Sequence, residues 1–459
     1  MTDLLPGQRS PAVRALETPG IPPQNGRFRG SEHADAAHEV SGTRVASTKD
    51  TSAAYFVRGS RVNGMLAATA EKQTPPVAPG KPAEKAPAKK REWAPRIWEG
   101  CDFFAWMKLL FRNRFAVHWS CIPIALCITY ISFWHTIGRF LQEAMYGRRI
   151  RKTVIKHPPL FIIGHWRTGT TLLHEFLSQD ERHAYPTTYE CLAPNHFVIS
   201  EPVLSKLFWF LVPAQRPMDN MKAGFDRPQE EEFALCMLGQ PSPYLTVAFP
   251  NRPPQCQEFY DLENVSAPAL RSWKKTFKEL LQQITFRKPE TRLVLKSPPH
   301  TCRIKTLKDL FPGALFVHIV RDPYVVYPST VNLWKTLYRT HGLQKPTNAG
   351  LEEQVLSTFT HMYDRLEATR NLVEPSRLYE LRYEDLVRDP VNELRRLYEH
   401  LNLGGFDDYL PRLEKYLSTI KGYETNRYQL TPEQRQLITR RWGKVIERYG
   451  YGAAAGAAG

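Results

Sequence analysis

No two of the seven cysteines in this 459-residue chain are spaced Cys-x-x-Cys. Cys101, Cys121, Cys127, Cys191, Cys236, Cys256 and Cys302 are odd in number, scattered and mostly set in apolar runs. That pattern excludes a zinc finger or ribbon and argues against a disulfide framework. It leaves reduced, buried thiols in a cytosolic domain, with no metal expected. Met1 to Pro23 lacks a continuous apolar core, so no secretory signal is expected. No internal repeat is visible. Acidic residues are scarce early in the chain. Residues 101–158 hold 9 Lys/Arg against 2 Asp/Glu and residues 1–100 hold 15 against 10, whereas residues 159–459 hold 38 against 34. The net charge of +16 therefore sits mainly ahead of residue 159. Basicity of that kind is not a domain-wide nucleic-acid footprint, and no nucleic-acid partner is expected. It suits an anionic membrane surface.

Composition divides the chain into four. Residues 1–92 are rich in Pro, Ala, Gly, Ser, Thr and charge and poor in aromatics, the composition of a disordered region. Thr74 to Lys90 is its extreme, a Pro/Ala/Lys linker. Residues 93–156 are aromatic and apolar with helical character. Within them, Phe115 to Gly138 contains no Asp, Glu, Lys or Arg and is long enough to cross a bilayer. Yet His118, Ser120, Pro123, Thr129, Ser132, His135 and Thr136 interrupt it, and basic residues flank both ends, so the positive-inside rule gives no orientation. Three readings follow: helices packed on a catalytic domain, an interfacial membrane helix, or a span. A cytoplasmic protein with membrane association through residues 101–151 is the matching location. Residues 157–451 form the expected catalytic domain, and 452–459 are an Ala/Gly tail.

Pro159 to Leu173 carries the strongest local signal. An apolar run, Leu160 to Ile163, ends at Gly164; a polar turn follows; an apolar-periodic run then begins at Leu172. This is strand, phosphate loop, helix, in which glycines let backbone amides wrap an anion at a helix start. Gly164, Gly169 and Thr171 fit the nucleotide P-loop spacing, but Thr170 stands where the lysine belongs. A loop without that lysine is poorly built for a triphosphate. A cation sits earlier, at Arg167. A second buried-strand run, Ala314 to Val320, ends in Arg321-Asp322-Pro323. Asp322 before Pro323 starts a helix, which carries Ser329 about two turns in. Both motifs lie at C-terminal strand ends, where open α/β sheets bind ligands.

Arg167-Thr168-Gly169-Thr170-Thr171 after one strand, with Arg321-Asp322-Pro323 and Ser329 after another, resembles the sulfotransferase family. Val294 to His300 (Val-Leu-Lys-Ser-Pro-Pro-His) and Leu381 to Leu386 with Asp389-Pro390 are similar to further family patterns, in family order. The nearest flavour is the bacterial branch that also resembles tyrosylprotein sulfotransferases. The resemblance implies an α/β fold of the P-loop type: three layers, with a central, mainly parallel sheet. It implies transfer of a sulfuryl group from 3′-phosphoadenosine-5′-phosphosulfate (PAPS) to a hydroxyl or amine of an acceptor by in-line displacement. The acceptor class stays open among lipid, glycan, peptide and small alcohol. By the same resemblance, Arg167 and Thr168 to Thr171 bind the 5′-phosphosulfate, and Arg321 and Ser329 the 3′-phosphate. Lys296 supplies a cation to the transferring group, and a basic loop holding Lys421 and Arg427 closes over the nucleotide.

The base that takes the acceptor proton is open between two residues. Glu190 follows an expected short second strand, Ala184 to Glu190, and would otherwise be a capping group. His300 follows two rigidifying prolines and would otherwise cap the next helix. Asp226 to Phe233 reads as a helix opening at Pro228, with Glu230, Glu231 and Glu232 favouring its positive end; the alternative for two carboxylates this close is positioning of a substrate. Two rival functions are a P-loop kinase or other NTPase, and a catalytically decayed membrane-associated binding protein.

Overall fold

The computed structural model describes residues 96–207, 224–420 and 428–452. The expected disordered region, the tail beyond residue 452, and Lys421 and Arg427 lie outside the described residues. The elements that matter here are α1 (Phe103–Arg112), α2 (Ile122–Gln142), β1 (Leu160–Ile163), α3 (Thr170–Leu177), β2 (His183–Ala184), α4 (Thr188–Leu192), α5 (Glu231–Met237), α6 (Ala267–Arg287), β3 (Arg292–Lys296), β4 (Leu315–Val320), α7 (Pro323–His341), α8 (Leu351–Thr369), β5 (Leu378–Arg382), α9 (Pro390–His400), α10 (Phe406–Thr419) and α11 (Pro432–Arg448).

The strands form one parallel sheet in the order β2-β3-β1-β4-β5. β1 and β4 are buried along their whole length, which is why they read as unbroken apolar runs rather than alternating ones. Successive side chains point to opposite faces, and the core divides accordingly. Phe161, Ile163, Leu295 and Phe316 join a core with α1, α5, α6, α7, α8 and α11. Leu160, Ile162, Val294 and Val317 join a second core with α3, α9 and α10. The result is the expected three-layer α/β arrangement. β1 lies between β3 and β4, so the chain leaves β1 to one side and later returns on the other. That switch point opens a crevice at the C-terminal strand ends.

Several local expectations are corrected. The second strand is two residues long, and Glu190 lies in α4 instead of at a strand end. α5 starts at Glu231, after Pro228, and its glutamates turn away from helix capping. All seven cysteines are free, and Cys101, Cys191, Cys236, Cys256 and Cys302 are buried.

The aromatic segment is helical. α1 and α2 pack on each other and on the catalytic layer. Trp106 Nε1 donates to Thr129 Oγ1 at 2.8 Å, and Arg139 pairs with Asp102 at 2.5 Å. The helical stretch Trp119–Arg151 is long and apolar enough to cross a membrane by length and composition.

Candidate active site

The loop between β1 and α3 needs unusual backbone angles. Gly169 has φ +101°, and a Cβ there would meet the Tyr383 ring at 2.3 Å. At Gly164, with φ +147°, a Cβ would meet the Ile319 carbonyl oxygen at 2.6 Å. Arg167 adopts φ +70° without being glycine, a strained conformation of the kind that clusters at ligand sites. Short bonds hold it. Thr168 Oγ1 donates to the His165 carbonyl at 2.7 Å, and the Gly164 amide donates to Thr301 Oγ1 at 2.8 Å.

The two phosphate motifs meet at one corner. Arg167 Nε donates to Ser329 Oγ at 2.8 Å across 162 residues of sequence. Arg321 Nη1 donates to the Arg167 carbonyl at 3.2 Å, and its guanidinium lies 4.1 Å over the Tyr383 ring. Asp322 caps α7 as expected, accepting from the Tyr324 amide at 2.8 Å. Glu384 accepts from the Asp322 amide at 3.1 Å, which fixes the turn. Two guanidiniums and the Ser329 hydroxyl thus meet beside the start of α3. The close Gly169–Tyr383 approach gives that corner a wall. This donor set fits a ligand with two anionic groups.

The turn after β3 is built differently. Lys296, His300 and Arg303 are buried, each against a member of the consecutive run Glu230, Glu231, Glu232. Lys296 Nζ lies 2.6 Å from Glu230 Oε1. His300 Nε2 contacts Glu231 Oε1, both side chains wholly inaccessible. Arg303 makes a two-armed pair with Glu232, at 2.5 and 3.0 Å, and donates to the Phe259 carbonyl. Burial alone would raise the Glu231 carboxyl. The adjoining His300 ring, and after it the Ser297 hydroxyl, outweigh it and hold the group below its ordinary value. Glu230 also accepts from Tyr244 Oη, which accepts from Trp166 Nε1 at 2.9 Å. A continuous chain therefore runs from the phosphate loop through Trp166, Tyr244 and Glu230 to Lys296.

The structure brings Arg167, Thr168, Gly169, Thr170, Thr171, Arg321 and Ser329 together at one strand edge, with Lys296 at the end of neighbouring β3. The two candidate bases face inward. Glu190 completes a capping box in α4: its carboxylate accepts from the Thr187 amide at 2.8 Å, and the residue is 1% exposed. Burial raises its carboxyl above the ordinary value against the pull of that bond. His300 is turned toward Glu231 instead of the crevice. The sequence reading missed Glu230, Tyr244 and Tyr383. The signal for the first was present: three successive acids, and cations later at spacings of four and three. The acids read as helix-end charges or as a substrate-positioning pair, not as partners of those later residues.

A family model described as the sulfotransferase family matches residues 158–408. The omega-hydroxy-beta-dihydromenaquinone-9 sulfotransferase Stf3 of Mycobacterium bovis is 55% identical over 361 residues, 79% of this chain and 92% of that protein. The Mycobacterium tuberculosis protein of the same name matches equally. Among solved structures, the sulfotransferase STF9 from Mycobacterium avium superposes with a TM-score of 0.54 at 17% identity, covering 76% of this chain and 96% of that one. STF1 from Mycobacterium tuberculosis H37Rv gives 0.52 at 19% identity, covering 75% and 94%. At these identities the two structures establish the fold.

Proposed function

The chain belongs to the sulfotransferase family, and on that premise we propose that it moves a sulfuryl group from PAPS to the terminal hydroxyl of an isoprenoid lipid, a hydroxylated menaquinone. The observation that carries the donor is the Arg167–Ser329 contact, which joins two anion motifs into one corner. The acceptor rests on the 55% identical relative, whose name states an omega-hydroxylated dihydromenaquinone. A lipid acceptor matches a cytoplasmic enzyme working at a membrane surface.

PAPS supplies a sulfuryl group on a phosphate leaving group: the sulfur–oxygen bond to that phosphate breaks as one to the acceptor oxygen forms. Arg167 and the amides and hydroxyls of Thr168 to Thr171 bind the 5′ end. Arg321 and Ser329 bind the 3′-phosphate and thereby select against ATP. Lys296 presents its ammonium to the bridging oxygen, where negative charge grows in the transition state, so its help is larger there than in the ground state. We assign the proton transfer to Glu230. Its carboxylate is released as Lys296 turns to the bridging oxygen, and it then accepts the acceptor's proton. Glu230 is 8% exposed, whereas Glu231, Glu232 and His300 are at 0%. Glu190 and His300 hold the scaffold in this reading, the first as a cap and the second as the partner of Glu231.

The test is label transfer. Full-length protein is incubated with sulfur-labelled PAPS and vesicles containing either ω-hydroxylated menaquinone or the same quinone without the hydroxyl. The reading expects label on the hydroxylated lipid alone. Label on neither, with label on a glycan or peptide acceptor, would contradict the lipid assignment.

A further inference from the structure

We propose that the outward face of α1 and α2 seats this protein on an anionic bilayer in the plane of the interface, without spanning it. The proposal deepens the lipid-acceptor reading and rests on it for its purpose, though not for its test.

Ile122, Leu126, Tyr130, Phe133, Ile137 and Phe140 are exposed large apolar residues at steps of three and four. That spacing sets them on one face of α2. Just before the helix, Trp119 is 76% exposed, and Phe104 (60%) and Phe111 (65%) add to the apolar surface from α1. Only 17% of the most apolar window of the stretch is buried. A patch of this size on a soluble surface marks an interaction site.

The opposite side of α2 decides between lying and crossing. It is tied to the catalytic layer by polar bonds: His135 with His196 at 2.7 Å, and Gln142 with both the Val198 amide and Gln283 at 2.9 Å. A spanning helix would break these bonds and leave their polar groups in hydrocarbon. A helix in the interface keeps them and still covers its apolar face.

Charge names the partner. Exposed Arg112 and Arg114 stand before the apolar stripe, and exposed Arg148, Arg149 and Lys152 after it. The one acid in that stretch of α2 and its extension, Glu143, is countered by Arg151. Cations bracketing an apolar face match anionic headgroups around an acyl boundary. They do not match a second copy of the same face, which would bring like charges together.

The seat also lies close to the chemistry. Cys101 Sγ, beside α1, is 3.6 Å from Met237 Sδ at the end of α5. The start of α5 carries the glutamates that face Lys296, His300 and Arg303. Seven helical residues span about 10 Å. An acceptor whose tail stays in the bilayer would need to bring only its terminal hydroxyl to Lys296.

The experiment is flotation of the full-length protein with vesicles, without PAPS or acceptor. Phosphatidylglycerol–phosphatidylcholine vesicles are compared with phosphatidylcholine alone. The proposal expects co-flotation with the anionic vesicles, weakened by salt, and release by alkaline carbonate. The triple variant Leu126→Ser/Phe133→Ser/Phe140→Ser should bind at least tenfold more weakly. Its melting curve and bisphosphate binding should remain as in the parent, because these side chains are exposed. A protein that stays soluble with every vesicle would overturn the seat. So would a triple variant that floats equally, or a dimer that the triple variant dissolves. Resistance to carbonate would replace the seat with a span. Vesicle binding without lipid sulfation would leave the seat standing and remove the acceptor reading, and the converse would remove the seat alone.

Discussion

The sheet edge holds its cations in two ways. Beside β1 and β4, Arg167 and Arg321 are half-buried and touch a serine hydroxyl, a backbone carbonyl and an aromatic face. Beside β3, Lys296, His300 and Arg303 are buried, each against a glutamate. A half-buried guanidinium keeps part of its surface open to an arriving anion. A buried carboxylate compensates the cation inside the protein, and its removal leaves an unpaired charge. The comparison teaches that the first corner is arranged around a ligand, whereas the second is part of the core with Lys296 at its working end.

Breaking the second corner should have the largest effect. Glu232→Ala leaves Arg303 unpaired and should cost about 3–5 kcal/mol of folding stability, read by urea unfolding. Ser329→Ala, in the first corner, should cost under about 1.5 kcal/mol. Equal losses would erase the distinction. Next come the charge-stabilising groups. Lys296→Ala and Arg167→Ala should each raise the barrier by about 3 kcal/mol, a loss in kcat on the order of a hundredfold. Arg321→Ala should separate binding from turnover. Charge-assisted bonds are worth about 1.5–3 kcal/mol, so donor affinity should fall by roughly ten- to a hundredfold with saturated kcat nearly unchanged. Loss of both alike would remove Arg321 from the 3′-phosphate.

The smaller effects sharpen the account. The Glu231 carboxyl is held below its ordinary value of 4.5 in the folded protein. Its contribution is therefore fully present above that pH and lost as pH falls through the depressed folded value. Glu231→Gln should flatten that acid limb of the stability curve. Glu190→Gln should do least. A capping role predicts a stability change within about 1 kcal/mol and kcat within about twofold, whereas a base would lose orders of magnitude.

How much the sequence disclosed follows the same division. The phosphate loop and the Arg321 turn were legible because each is local: strand, glycines, cap and helix lie within about fifteen residues. The apolar runs of β1 and β4 likewise read as buried strands, and the parallel sheet came from the family resemblance. Both halves of the glutamate–cation ladder were visible as residue runs, but their pairing was not, because the partners are 66 to 71 residues apart and meet only through the fold. Glu190 was expected at a strand end and lies in α4 for a local reason. Thr187 and Glu190, three apart, make a capping box, and that pattern describes it better than a strand end does.

The central claim is that Arg167, Arg321 and Ser329 form one site for a nucleotide bearing 5′ and 3′ anionic groups. Calorimetric titration of the full-length protein with 3′-phosphoadenosine-5′-phosphate in a chelator, against ATP with Mg²⁺, tests it most directly. The account predicts tight binding of the bisphosphate without metal, weak binding of ATP, and loss of the difference in Arg321→Ala. Preference for Mg²⁺-ATP, or bisphosphate binding that Arg321→Ala leaves intact, would contradict it.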